Sequence, residues 1–163
     1  MDQWRDAQRP RPGHRQVSGA ETKLRRQFAA LPFTVGSDGD VRILLVTSRG
    51  TGRWVLPKGW PNAADATNAD TARREAFEEA GIHGDIVGLK EVGAYRYEQV
   101  GKDGVAATCR VGVFPLRVSG LAKTWPEKGQ RVLRWCTPKQ GARLVQEPEL
   151  AALLSGFKAP GEF

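Results

Sequence analysis

Thr67, Asp70 and Gly81 bracket a segment whose spacing restricts it to one regular structure. Thr67 followed three residues later by Asp70 has the form of a capping box, and Ala69, Ala72, Ala76 and Ala80 then recur at helical spacing. Gly81 supplies the positive φ at which helices commonly end, and Ile82 just beyond is placed to meet Phe77. On the predicted helix Glu75, Glu78 and Glu79 stand at i, i+3 and i+4, which gathers three carboxylates on one face with Cβ atoms roughly 5 to 6 Å apart. Like charges at that spacing repel, and Arg74 at i−4 from Glu78 offsets only part of the cost. Mg²⁺, a hard cation that takes oxygen ligands and bridges carboxylates to phosphates, would offset the rest. A solvated acidic face is the other reading of such a run.

The residues upstream narrow the choice. Gly59, five residues, Asp65, eight residues, then Arg74-Glu75-Ala76-Phe77-Glu78-Glu79-Ala80-Gly81-Ile82 resembles the Nudix box, G-x5-E-x7-R-E-U-x-E-E-x-G-U with U a bulky aliphatic. Asp65 stands where the box has Glu, one extra residue precedes Arg74, and Ala76 is small where the family has an aliphatic. The resemblance implies an α+β fold of the Nudix type, an α/β/α sandwich with a mixed sheet between helices. It also implies hydrolysis of a phosphoanhydride with Mg²⁺ or Mn²⁺ as cofactor. Carried onto this chain, Glu75, Glu78, Glu79 and the Gly59 carbonyl become metal ligands. Glu78, Glu75, Glu79 and Arg74 become the catalytic set, with Arg74 orienting the glutamates and Glu78 either a further ligand or the base that activates water. Glu127, on a loop far from the box, is a second candidate for the base.

A chain of 163 residues with 40% apolar content suffices for one domain with a substantial core. Residues 1–24 are Arg-, Gln-, Pro- and Gly-rich with almost no apolar periodicity, and read as a basic disordered tail. The domain is expected over 25–156, followed by a C-terminal tail at 157–163. The formal net charge is +7, of which the first 26 residues hold more than half. Such a balance attracts phosphate-rich partners without choosing among them. No apolar run approaches the ~18 residues that span a bilayer and no secretory h-region opens the chain, so a cytoplasmic protein with no membrane partner is expected. Cys109 and Cys136 lie in apolar strand-like contexts and read as buried free thiols, while His14 and His83 have no nearby ligand pair.

Phe28 to Val35 reads as a strand that Pro32 confines to an edge or a bulge, unless the missing donor faces away from the ladder. A turn at 36–40 leads to the strand Val41 to Thr47, forming a hairpin, and Arg53 to Pro61 carries a short strand into the box loop. After the helix, Asp85 to Val92, Ala94 to Val100, Ala106 to Val118 and Arg131 to Cys136 are β-prone, with Trp125 to Gln130 an exposed loop. Pro138 to Val145 and Pro148 to Leu154 are candidate helices opened by proline.

Substrate identity has to come from outside the box. The runs R-R-Q-F-A-A-L-P-F, R-W-V-L-P-K-G and K-G-Q-R-V-L-R-W resemble the diphosphoinositol polyphosphate phosphohydrolase branch, which also cleaves dinucleoside polyphosphates. This makes Arg25, Arg26, Arg53, Lys58 and Arg131 candidate substrate-binding residues and a polyphosphorylated small molecule the expected partner. Tyr95, Tyr97 and Trp60 are either stacking platforms for a base or core and sheet-face residues. Two alternatives stay open: removal of pyrophosphate from RNA 5′ ends, with the basic tail tracking nucleic acid, and a non-catalytic Nudix domain that binds a nucleotide and regulates a partner.

Overall fold

Val41–Thr47 and the stretch from Phe28 to Val35 are mostly apolar with continuous buried runs, the pattern of strands covered on both faces rather than one. The computed structural model, which describes residues 24–161, places both inside an eight-stranded sheet. Its strands are β1 (Arg25–Val35), β2 (Val41–Thr47), β3 (Trp54–Val55), β4 (Lys58–Gly59), β5 (Ile82–Ile86), β6 (Gly93–Val100), β7 (Ala106–Leu121) and β8 (Leu133–Cys136). The order is β3-β2-β1-β7-β5, with β4 on β1, β6 on β7 and β8 on β2. β1 and β7 run parallel while the other pairs are antiparallel, so the sheet is mixed.

Alternation sorts the side chains onto two cores. Phe28, Ala30, Leu44 and Val46 face helix α1 (Asn68–Ala80), joined by Ala72, Ala76 and Ala80. Ala29, Leu31, Phe33, Ile43 and Leu45 face the opposite layer, joined by Val145, Leu150 and Leu154 around helices α2 (Pro138–Leu144) and α3 (Pro148–Ser155). This is the expected α/β/α sandwich. The small residue at Ala76 is fully buried in the α1 layer, where its size lets the helix lie close to the sheet.

The box helix forms as its sequence dictates. Thr67 caps it through a capping box with Asp70, and Gly81 ends it at φ 67°. Gly81 N–H donates to the Phe77 carbonyl at 2.8 Å, Ile82 buries in the core, and Phe77 instead meets the His83 ring at 5.3 Å.

Pro32 meets the exception allowed for it: it is at neither an edge nor a bulge, and its missing donor faces no ladder partner. It lies in β1 between partners on both sides, opposite Leu116 of β7. Two residues before it, Ala30 N–H donates to the Pro57 carbonyl at 3.0 Å, so the proline nitrogen points to that same side. There β1 changes partner from β4, at Phe28 and Ala29, to β2, which begins at Phe33. The missing donor therefore falls in the interval between two antiparallel neighbours.

The strand expected at Asp85 to Val92 is β5, shifted towards the helix. Ile82 pairs with Leu121 as soon as the chain leaves Gly81, a bulge follows at His83 and Gly84, and Gly88 turns the chain at φ 79°. Cys109 and Cys136 are buried and free. The expected basic tail lies outside the described residues apart from the exposed Leu24. Past α3, residues 157–161 form no helix or strand, yet Phe157 packs its ring 5.6 Å from that of Phe33.

Candidate active site

The helix α1, the β4 loop and the segment before β8 meet at a cleft of about 650 Å³. Glu75, Glu78, Glu79 and Arg74 line it, with Lys58, Gly59 and Arg131.

Arg74 organises one end. Its guanidinium grips Asp65 with two parallel bonds, from Nε to Oδ1 at 3.0 Å and from Nη2 to Oδ2 at 2.9 Å. Further bonds reach the Trp60 carbonyl at 2.9 Å, Glu75 Oε1 at 3.0 Å and Glu78 Oε2 at 3.2 Å. Asp65 also accepts from Thr71 Oγ1 at 2.9 Å and from the Asn62 amide at 3.0 Å. Arg74 above all, against the cost of burial, holds the Asp65 carboxyl well below the usual carboxylate range.

Gly59 makes room for Glu75. A Cβ there would lie 2.3 Å from Glu75 Oε1, so any side chain would displace the carboxylate. Burial raises the Glu75 carboxyl above its ordinary value, against the pull of Arg74.

Glu79 faces a different arginine. Its Oε1 lies 3.3 Å from Arg131 Nη2, and its Oε2 accepts from the Lys58 amide at 3.4 Å. The same Arg131 nitrogen donates to Glu127 at 3.2 Å, while Nη1 donates to the Thr47 carbonyl at 3.0 Å. Both Arg131 and Glu79 are more than nine-tenths buried as side chains. Burial pushes the Glu79 carboxyl up to about 8, against Arg131 and with Glu75 adding to the rise. Burial likewise lowers the Lys58 ammonium, which Glu79 partly restores.

The carboxylate ladder is thus split between two arginines, and among the described residues no three acids converge on a common point. Glu127 comes to the site because its loop docks on the end of α1. Glu127 N–H donates to the Glu78 carbonyl at 3.0 Å, Ala122 N–H to the Gly81 carbonyl at 2.7 Å, and Trp125 covers Gly81 so closely that a Cβ there would lie 2.3 Å from the indole. This segment was expected as an exposed loop, and its contacts with α1 tie it down.

Of the remaining candidates, Lys58 and Arg131 line the cleft, but Arg25, Arg26 and Arg53 do not. Arg25 and Arg26 are exposed at the start of β1, and Arg53 is held by Glu147 at 3.0 Å and Gln146 at 3.3 Å. Tyr95 is a core residue, while Tyr97 and the partly exposed Trp60 line the cleft. Gln27 and Gln99 join them without having been anticipated. The signal for Gln27 was available: it shares its strand face with Ala29, Leu31 and Phe33, where a polar side chain is out of place.

A NUDIX domain model matches residues 23–155. The chain belongs to the Nudix family. Nudix hydrolase 16, mitochondrial, of Arabidopsis thaliana is 30% identical over 142 residues, covering 78% of this chain and 76% of that protein. Among solved structures, the C. elegans Ap4A hydrolase binary complex shares 19% identity with a TM-score of 0.59, over 81% of this chain and 93% of its own. The NUDIX domain of Shewanella oneidensis NrtR complexed with ADP ribose shares 16% with a TM-score of 0.56, over 80% and 84%. These two likenesses bear on the Nudix fold alone. The family match and relatives named as hydrolases make this chain a Nudix hydrolase, acting on phosphorus-containing anhydrides. Its box tolerates two departures. A turn in which Asp65 N–H donates to the Asn62 carbonyl at 3.1 Å lies ahead of the inserted residue, and the shorter Asp65 still meets Arg74 with both oxygens.

Proposed function

We propose that this Nudix hydrolase is a divalent-cation-dependent pyrophosphohydrolase of polyphosphorylated small molecules, with dinucleoside polyphosphates favoured over diphosphoinositol polyphosphates. The observation that carries the reading is geometric: Glu75, Glu78 and Glu79 of α1 line one cleft together with Gly59, whose missing side chain leaves room for the Glu75 carboxylate. Burial raises the Glu79 carboxyl among them, against Arg131, and a bound cation would favour its ionised form. The donor set fits Mg²⁺ or Mn²⁺: Glu75, Glu78, Glu79 and the Gly59 carbonyl are all hard oxygen ligands. When bound, the cation supplies charge against the phosphate oxygens and the carboxylates.

The chain's own groups do the rest. Asp65 fixes Arg74, and Arg74 fixes Glu75 and Glu78. Glu78 is the least buried of the three glutamates and takes the proton of the attacking water. The water oxygen forms the new bond to phosphorus as the bridging P–O bond breaks, and the leaving phosphate carries away that bond's electron pair. Lys58 and Arg131, which line the same cleft, are assigned as donors to the departing oxygens.

The cleft's cations favour a modest phosphate load. Arg25, Arg26 and Arg53 stand apart from it, whereas Trp60 and Tyr97 offer aromatic surface for a base. Steady-state kcat/KM for dinucleoside polyphosphates, diphosphoinositol polyphosphates, nucleotide sugars and capped RNA, each with Mg²⁺ and with Mn²⁺, tests this. Turnover unaffected by removal of divalent cations sinks the proposal.

A further inference from the structure

The cleft wall contributed by β1 and β6 holds a side chain with no role so far. Gln27 is only 6% exposed, yet it lines the cleft. Its Oε1 accepts the Tyr97 hydroxyl proton at 2.5 Å. Burial, with the Cys109 thiol alongside, holds the Tyr97 hydroxyl well above its ordinary range, so it remains a donor at any working pH. With the carbonyl end of the amide engaged, Nε2 carries two N–H donors for which the described residues provide no partner. A nearly buried amide with two unused donors facing a cleft calls for an acceptor from outside the protein.

The surroundings define that acceptor. Tyr97, Gln99 and Trp60 are neutral, and Lys58, with Nζ 5.0 Å above the Tyr97 ring, is the cation that adjoins them. A phosphate is served by the cationic side, where Lys58 and Arg131 flank the carboxylates. Fixed neutral donors beside aromatic rings suit an uncharged, planar acceptor group.

We propose that Gln27, oriented by Tyr97, is a specificity-determining residue that donates to a carbonyl oxygen or ring nitrogen of the substrate's nucleobase. This rests on the anhydride hydrolase reading above and deepens it by assigning recognition of the organic moiety to the wall of β1 and β6. A site built to hydrogen-bond a substrate group discriminates strongly against partners that lack it, because its own donors are then left unpaired.

The test compares a dinucleoside tetraphosphate with inorganic tripolyphosphate, which has the anhydride but no base. For Gln27→Leu, kcat/KM on the dinucleotide is expected to fall at least ~10-fold, chiefly through KM, while tripolyphosphate changes less than about threefold. Tyr97→Phe frees the amide to turn and is expected to raise the dinucleotide KM in the same direction by a smaller factor. Equal losses on both substrates, or no loss on either, overturn the assignment. Wild-type protein that turns over tripolyphosphate and the dinucleotide with equal kcat/KM overturns it without any variant having to fold. Wild-type protein that cleaves no anhydride sinks the functional reading itself, which separates the two failures.

Discussion

At the Arg74 end of the carboxylate ladder, every acid finds its partner close by in the chain. Asp65 lies nine residues from Arg74, and Glu78 lies four away on the same helix. At the Arg131 end, Glu79 meets a guanidinium that is itself anchored to Thr47, 84 residues distant. The first end is saturated: Asp65 receives four side-chain and backbone bonds, and its carboxyl is depressed. The second is starved of water: burial above all raises the Glu79 carboxyl to about 8, and Arg131, divided between Glu79 and Glu127, offsets only part of it. The two ends teach that one helix carries both a structural clasp and a chemically unsettled acid, and that environment rather than residue type separates them.

The largest effect should come from titrating the starved end. An unfolded Glu79 loses its proton near 4.5, while the folded one keeps it until about 8. Between those values the unfolded state binds fewer protons, so stability is fully present below 4.5 and is lost as pH rises towards 8. The slope reaches up to ~1.4 kcal/mol per pH unit in metal-free protein. Chemical denaturation across that window measures it. Adding Mg²⁺ or Mn²⁺ should recover stability at the upper end, and Glu79→Gln should flatten the curve. A metal-free profile already flat in the wild type would mean that the two ends do not differ as argued. The same substitution should lower kcat by at least ~10²-fold, about 2.7 kcal/mol, on any substrate the enzyme cleaves, with the fold intact.

This contrast also explains what the sequence revealed. The box helix, its capping box, its Gly81 stop and the clasp of Arg74 on Glu78 all arise from neighbours in the chain, and periodicity exposes them. The sandwich was legible because strands covered on both faces write long apolar runs. Assembly across the sheet was not legible. Arg25, Arg26 and Arg53 had the right charge, but the first two stand exposed at the start of β1 and Glu147 engages the third. Whether Pro32 was tolerable depended on where β4 gives way to β2, which no local pattern encodes. Gln27 meets Tyr97 from 70 residues away, and its polarity on an inward strand face was the sole trace of that pairing.

At the saturated end, Asp65→Ala should cost about 2 kcal/mol, the scale of charge-assisted bonds removed from a buried acceptor. The acid's folded value is depressed, so its contribution is present above about 3.8 and is lost as pH falls below that. The loss measured at pH 7 should therefore shrink in acid, opposite in sign to the Glu79 profile. Activity should fall too, since Arg74 loses the group that orients it towards Glu75 and Glu78. Full activity with an unchanged melting curve would show that the clasp is dispensable and that the comparison rests on the Glu79 end alone.

Arg49 offers the smallest and most discriminating change. It stands at the rim of the starved end, 60% exposed as a side chain, with Nη1 3.2 Å from Glu127 and 3.1 Å from Gln130 Oε1. An exposed pair of this kind contributes below ~1 kcal/mol, because water and salt already screen both charges. Arg49→Ala should leave unfolding within about 0.5 kcal/mol of wild type. It still lines the cleft, so its removal should raise KM for a polyphosphate severalfold at low ionic strength and by much less at high salt, with kcat unchanged. If instead kcat fell and the effect survived high salt, Arg49 would be acting through Glu127 and Arg131 on the buried acid, and the starved end would extend from the helix to the rim as one coupled unit.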